Sequence, residues 1–194
     1  MKPLVAADLL SLEDYARDRA AIRERMIRHR ATRRLLIGSH CSWSFEDRDT
    51  ARYQVQEMLR AERIFEQAGI EDELAAYNPL IPGGRNLKAT MLIEYPDPDE
   101  RAIQLERLHG IEHRCWLRVA GHEPVMAVAD EDLPRSTAVK TSAVHFLRFE
   151  FDEAMVASLE SGATLAAGID HVGYRHALDQ LPAALRAALL RDFD

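Results

Sequence analysis

The stretch Ala143-Val-His-Phe-Leu-Arg-Phe-Glu-Phe151 constrains the fold more than any other part of the chain. Phe146, Leu147, Phe149 and Phe151 are strong β formers. The two-residue period of a strand sends His145, Leu147, Phe149 and Phe151 to one face, and Arg148 and Glu150 to the other. A face this apolar must be covered. Residues 33–37 and 42–45, separated by Gly38-Ser-His-Cys41, predict a hairpin. Residues 88–95 alternate with Ala89, Met91, Ile93 and Tyr95 on one side. Strands are also expected at 112–119 and 125–129, joined by Gly121-His-Glu-Pro124, and a last one at 164–169. Strand follows strand without regular strand-helix alternation, so the expected class is α+β, a mostly antiparallel sheet with helices packed against it.

The helices announce themselves by their caps. Ser11-Leu-Glu-Asp14 has the form of a capping box, and Leu12, Tyr15, Ile22 and Met26 follow at helical spacing, which predicts a long N-terminal amphipathic helix to about residue 30. A second helix follows Asp47 and runs to about residue 68, ended by Gly69, with a shorter one near 71–76. Asp97-Pro98 opens a helix that Gly110 closes, Asp152 caps one through Leu159, and Pro182 opens a terminal helix with Leu185 and Leu189 inward. Between them, Tyr77-Asn-Pro-Leu-Ile-Pro-Gly-Gly-Arg-Asn86 is irregular, because its prolines and adjacent glycines forbid a helix or ladder.

At 194 residues and 47% hydrophobic, the chain is long enough to bury a sizeable core as a single domain, 1–194. Cys41 and Cys115, with no signal-like apolar stretch near the start, point to a reduced cytoplasmic protein without a disulfide. No apolar run approaches the ~20 residues of a bilayer span. The net charge of −7 is unevenly spread, since residues 17–34 hold eight arginines against Asp18 and Glu24. Arginine outnumbers lysine 22 to 3 throughout, so this run reflects a habit of the whole chain. No aromatic interleaving accompanies it, as a nucleic-acid grip would require.

Glu62 breaks a pattern. Val55, Met58, Leu59 and Phe65 form a helical stripe, and Glu62 falls inside it, where a carboxylate needs a cation, a metal, a proton or water. His145 reads as inward-facing. Cys115 shares a face with His113, Leu117 and Val119, and His171 follows Leu165, Ala167 and Ile169 in phase. These residues raise a mononuclear metal site in which His145 and His171 join Glu62 or Asp170, the two-histidine, one-carboxylate arrangement suited to a divalent metal, iron or zinc. The bland alternative is that each histidine is a satisfied core residue and Glu62 pairs with an arginine.

Other motifs carry less. Glu106-Arg-Leu-His109 is a single Glu-x-x-His where di-iron bundles need two, and His109 reads as a cation at a helix C-terminus. Cys41 beside His40 raises an activated thiol, although sequence neighbours rarely have the geometry. Pro82-Gly-Gly-Arg85 lacks the lysine and helix of a phosphate loop, and no Ser-His-Asp order is present. The apolar loop 78–86, followed by Lys88, Thr90 and Glu94 on one strand face, reads either as a core plug or as a docking element.

The segments Asp8-Leu-Leu-Ser-Leu-Glu-Asp-Tyr15, 48–64, Tyr77-Asn-Pro-Leu-Ile-Pro82, 86–95, 140–151 and Ala167-Gly-Ile-Asp-His171 carry a resemblance that spans nearly the whole chain. The chain resembles a bacterial family known as domain of unknown function 3501. The resemblance brings no catalytic residues. It implies a setting beside rubrerythrin-like proteins and iron–sulfur proteins similar to heterodisulfide reductase subunits.

Three functional expectations follow. The first is an accessory or partner-binding protein of an iron–sulfur or peroxide-handling redox system, docking such a partner or a second copy of itself as a homodimer. The second is a metal-dependent enzyme centred on Glu62, His145 and His171. The third is nucleic-acid binding through the arginine-rich first helix.

Overall fold

Alternation along each strand becomes burial on one side of it. In the computed structural model, which describes residues 1–193, β1 (Arg34–Ile37), β2 (Cys41–Phe45), β3 (Asn86–Ile93), β7 (Val144–Glu150) and β6 (Val128–Ala129) form one sheet in that order. A second sheet has the order β5 (Val125–Met126), β4 (Cys115–Val119), β8 (Leu165–His171) and β9 (Tyr174–Leu178). Every pairing is antiparallel. Trp43, Phe45, Met91 and Phe149 of the first sheet share one buried core with Cys115, Leu117, Ala167 and Ile169 of the second. This is the α+β fold expected, with the sheet divided in two.

Residues 125–129 serve both sheets. β5 pairs with β4 and β6 pairs with β7, and between them the Ala127 amide donates to the Cys115 carbonyl at 2.9 Å. One extended segment thus passes from sheet to sheet, the way a strand forms a sandwich corner. It ends at Asp130, whose φ of +52° turns the chain into the irregular stretch 130–143. Aspartate is among the few residues that visit this left-handed region readily.

Three helices build a lobe beside the first sheet. α1 (Leu12–Ala31) begins where expected, the Ser11 hydroxyl accepting from the Asp14 amide at 3.1 Å. It buries only Tyr15 and Met26, while α2 (Arg48–Glu62) and α3 (Gln67–Tyr77) close over Leu4, Ala51, Val55, Leu59, Leu74 and Ile81. α2 stops earlier than residue 68. Arg63 adopts φ +56° and the Ile64 amide returns to the Leu59 carbonyl at 2.9 Å, a left-handed C-terminal cap that ends the helix before Gly69, which lies inside α3. The remaining helices are α4 (Pro98–Arg107), α5 (Glu153–Glu160) and α6 (Ala183–Leu189), the last with Leu185 and Leu189 buried as expected. Two further corrections concern strands. Glu112 lies in a 3-10 turn, Ile111–Arg114, and 165–171 is followed by a further strand, β9, across the two-residue turn Val172-Gly173.

No helix among the described residues is long and apolar enough to cross a membrane.

Candidate functional site

β7 carries His145 into the interior with no exposed surface, and two carboxylates meet it there. Its Nδ1 donates to Asp130 Oδ2 at 2.6 Å. Its Nε2 lies 2.8 Å from the Thr141 hydroxyl and 3.0 Å from the Ser142 carbonyl, and 3.9 Å from Glu112 Oε2. A carbonyl only accepts, so the Ser142 contact calls for a hydrogen on Nε2, and the ring is held between Asp130 and Glu112. Thr141 passes the network on by donating to Glu112 Oε2 at 2.9 Å, while Ser136 donates to Glu112 Oε1 at 2.6 Å. Burial pushes the Glu112 carboxyl up, but these hydroxyls, its own amide and the His145 charge outweigh it and hold the group below the usual range. Asp130 Oδ1 accepts from the Phe146 amide at 3.0 Å and from Arg135 at 3.3 Å.

The elements explain the meeting. Gly110, at φ +83°, turns the chain out of α4 into the short helix bearing Glu112, and the left-handed Asp130 aims its carboxylate back at β7. The loop 130–143 has no regular structure of its own and is tied down through Ser136 and Thr141. Structureless segments of this length are uncommon in compact domains.

One oxygen of Glu112, one of Asp130 and a nitrogen of His145 lie within 4.8 Å of one another, the separation that the donors of a single ion show. They do not aim at one point. Asp130 occupies Nδ1, and Glu112 lies on the opposite, Nε2 side of the ring, where a hydroxyl and a carbonyl already take the hydrogen. The arrangement also has the order of an acid–imidazole–hydroxyl relay. Here the Thr141 hydroxyl hydrogen is committed to Glu112, and Thr141 is only 2% exposed, so no substrate reaches it.

Of the residues expected to join His145, none does. Glu62 is the last residue of α2 and is exposed; it lies in the angular range of the stripe but beyond the edge of what covers that stripe, and Phe65 is 74% exposed. His171 is buried, its Nδ1 accepting from the Gly173 amide at 3.1 Å and its Nε2 donating to the His109 carbonyl at 3.2 Å, which leaves no nitrogen for an ion. Asp170 is exposed and paired with Arg175 at 2.6 Å. His113 is exposed as well. Cys41 is buried, and burial pushes its thiol up to about 12, the opposite of activation. Sequence reasoning did not reach Glu112 or Asp130: the first opens the expected strand 112–119 out of phase with Cys115, and the second lies just past the expected strand 125–129.

An open cleft of about 540 Å³ lies on the other face of β3 and β7. Tyr77, at the end of α3, and Pro79 and Leu80, in the 3-10 turn that opens the apolar loop, form one wall, and Glu131, Asp132 and Arg135 the other. Phe146, Lys88 and Arg148 make the floor, with Arg135 stacked 4.3 Å over the Phe146 ring. Lys88 and Arg148 are direct partners across the strands. Arg148 is held by both oxygens of Glu131, at 2.8 and 2.9 Å, and by Glu150 at 2.7 Å. Arg135 is held by Asp132 and Asp130. Lys88 forms no ion pair among the described residues and donates to the Pro79 carbonyl at 2.6 Å. Burial, with Arg148 second, holds its ammonium below the usual lysine range. Arg135 and Asp130 join the sealed network to the cleft wall.

Fold and site together define a two-sheet antiparallel α+β protein with an internal histidine–carboxylate network and an apolar, cation-floored cleft. The family model described as "Protein of unknown function (DUF3501)" matches residues 3–193, and the chain belongs to that family. A crystal structure of a novel protein of unknown function from Burkholderia pseudomallei K96243 is similar to it at 49% identity, with a TM-score of 0.95 and full coverage of both chains. No curated protein matches.

Proposed function

We propose that the protein binds a partner and does not transform a substrate, serving as a cytoplasmic accessory of an iron–sulfur or peroxide-handling redox system. The single observation that carries this reading is a division of labour inside the molecule. The groups with chemistry to offer, the buried His145, Glu112 and Thr141 and the half-buried Asp130, spend their hydrogen bonds on one another. The accessible relief is apolar and preformed, and clefts of this size and character are the usual binding sites of proteins. The redox setting is what the family resemblance implies. The network serves the cleft by fixing the loop 130–143 that forms one wall.

The test is capture from native cells by tagged wild-type protein and by Leu80→Asp, which puts a charge on the cleft wall. Recovery of an iron–sulfur or rubrerythrin-like protein by wild type, and its loss in a variant with unchanged melting temperature, supports the reading. Equal recovery by both forms, or recovery of no redox protein by either, overturns it.

A further inference from the structure

We propose that what the cleft recognises is the apolar C-terminal end of a partner protein, its terminal carboxylate seated on Lys88 and its last side chains lying on Phe146, Tyr77 and Leu80. The proposal rests on the partner-binding reading and names the element bound. Charge complementarity selects the anion. Like charges directly opposite on neighbouring strands oppose each other, and Lys88 and Arg148 are such a pair. Glu131 and Glu150 act on both, but they touch only Arg148, whereas Lys88 is in contact with a carbonyl alone. Lys88 is therefore the cation of the pair that remains open to direct contact with an incoming carboxylate. A phosphate dianion is disfavoured, because Glu131 and Glu150 lie near enough to Lys88 to act on it and would repel the second unit of charge. A carboxylate fits, since the ammonium has two hydrogens beyond the one given to Pro79. Its position on a half-buried floor makes each hydrogen bond stronger than at an open surface, and the ammonium regains the charge stabilisation that burial removes.

The apolar half of the site selects the rest of the ligand. Tyr77, Leu80 and Phe146 are half-buried, so they present surface without being loose, and the volume has room for a few side chains. One wall is the end of α3 with the 3-10 turn Asn78–Leu80, whose Pro79 carbonyl accepts from Lys88, and the other is the irregular segment that carries Glu131, Asp132 and Arg135.

The experiment uses the full chain and a fluorescein-labelled peptide pool ending in three positions randomised over Leu, Ile, Val and Phe, prepared as free acid and as C-terminal amide. Fluorescence anisotropy is expected to show the acid binding roughly tenfold more tightly than the amide, the gain of a charge-assisted hydrogen bond. Lys88→Gln should bring acid and amide to the same affinity, and Leu80→Asp should weaken both. Equal binding of acid and amide, or no binding, overturns the proposal. So does displacement of the acid pool by decanoate at equal affinity, which would make the ligand a small amphiphile. If these peptides fail while Leu80→Asp still abolishes capture of the redox protein, the binding reading stands and only the C-terminal assignment falls.

Discussion

The hydroxyl of Tyr174 fills the turn at Gly38: it donates to the Ile37 carbonyl at 2.7 Å and accepts from the amides of His40 and Cys41 at 2.9 and 3.1 Å. One side chain of the second sheet thus satisfies three backbone groups of the first sheet's hairpin. Tyr174→Phe leaves all three without that partner in a buried place and is expected to cost about 1–3 kcal/mol. At roughly 2–4 °C per kcal/mol for a chain of this size, thermal denaturation reads the loss directly. Gly38→Ala should cost more, since Gly38 sits at φ +67° and an added Cβ falls on the Tyr174 hydroxyl and the His176 ring. A variant at Gly38 as stable as wild type would contradict this packing.

His145→Ala removes the ring that lies between the buried Glu112 and the half-buried Asp130 and should destabilise the fold by about 3–5 kcal/mol, the range for breaking a buried charge pair. Thr141→Val, which removes one hydroxyl from the same network, should cost about 1–3 kcal/mol. Urea unfolding measures both.

The hydrogen-bonded ring also makes a statement about metal. Protein purified without chelator is expected to hold no more than about a tenth of an iron or zinc ion per chain, and added chelator should leave the melting temperature unchanged. One ion per chain by elemental analysis, lost in His145→Ala, would restore the metal reading around Glu112, Asp130 and His145.

Asp192 provides a pH dependence. It is 1% exposed, beside Arg33 and near Asp47; burial is the largest influence and pushes its carboxyl up to about 6, against the pull of Arg33. A folded-state value raised above the unfolded one means that the group's contribution to stability is fully present below about pH 4 and is lost as pH rises through about 6. Wild type should therefore lose stability relative to Asp192→Asn between those values. Urea titrations of the two proteins at pH 4, 5, 6 and 7 give the difference, and a gap independent of pH would refute it.

Glu62→Ala should change stability by no more than about 0.5 kcal/mol, as expected for an exposed side chain that makes no ion pair among the described residues. A loss of several kcal/mol would mean that this carboxylate has a buried partner after all.

Polyanion chromatography tests the arginine-rich helix. Arg17 pairs with Asp14 and Asp18, Arg19 with Glu57, and Arg28 with Glu24, so much of the basic run is neutralised locally. The protein should pass a heparin column at about 0.15 M salt. Retention that falls steeply with added salt would revive nucleic-acid binding.

The strand faces were legible in the sequence because period-two alternation is read residue by residue. Ala89, Met91, Ile93 and Tyr95, and His145 with Leu147, Phe149 and Phe151, are all buried. The caps at Ser11, Asp97 and Asp152 were legible for the same local reason. Helix ends set by an unexpected left-handed residue were not: nothing about an arginine announces the turn at Arg63, and Gly69 looked the better stop. The site was half legible. Phase gave His145 as inward-facing, but its partners sit on a 3-10 turn and on the first residue of an irregular loop. There no period operates, and only tertiary packing decides which way a carboxylate points. The apolar loop 78–86 announced one wall of the cleft; the opposite wall came from a charged segment that reads as ordinary solvent-facing chain.

The passage of residues 125–129 from one sheet to the other has a mechanical consequence. Neither layer of the sandwich can slip along the other without unzipping hydrogen bonds in both, so sliding is as costly as opening. Amide hydrogens there should exchange on the timescale of whole-molecule unfolding. Asp130 and the wall of the cleft begin where this seam ends, and a guest pressing on that wall pushes against both layers at once.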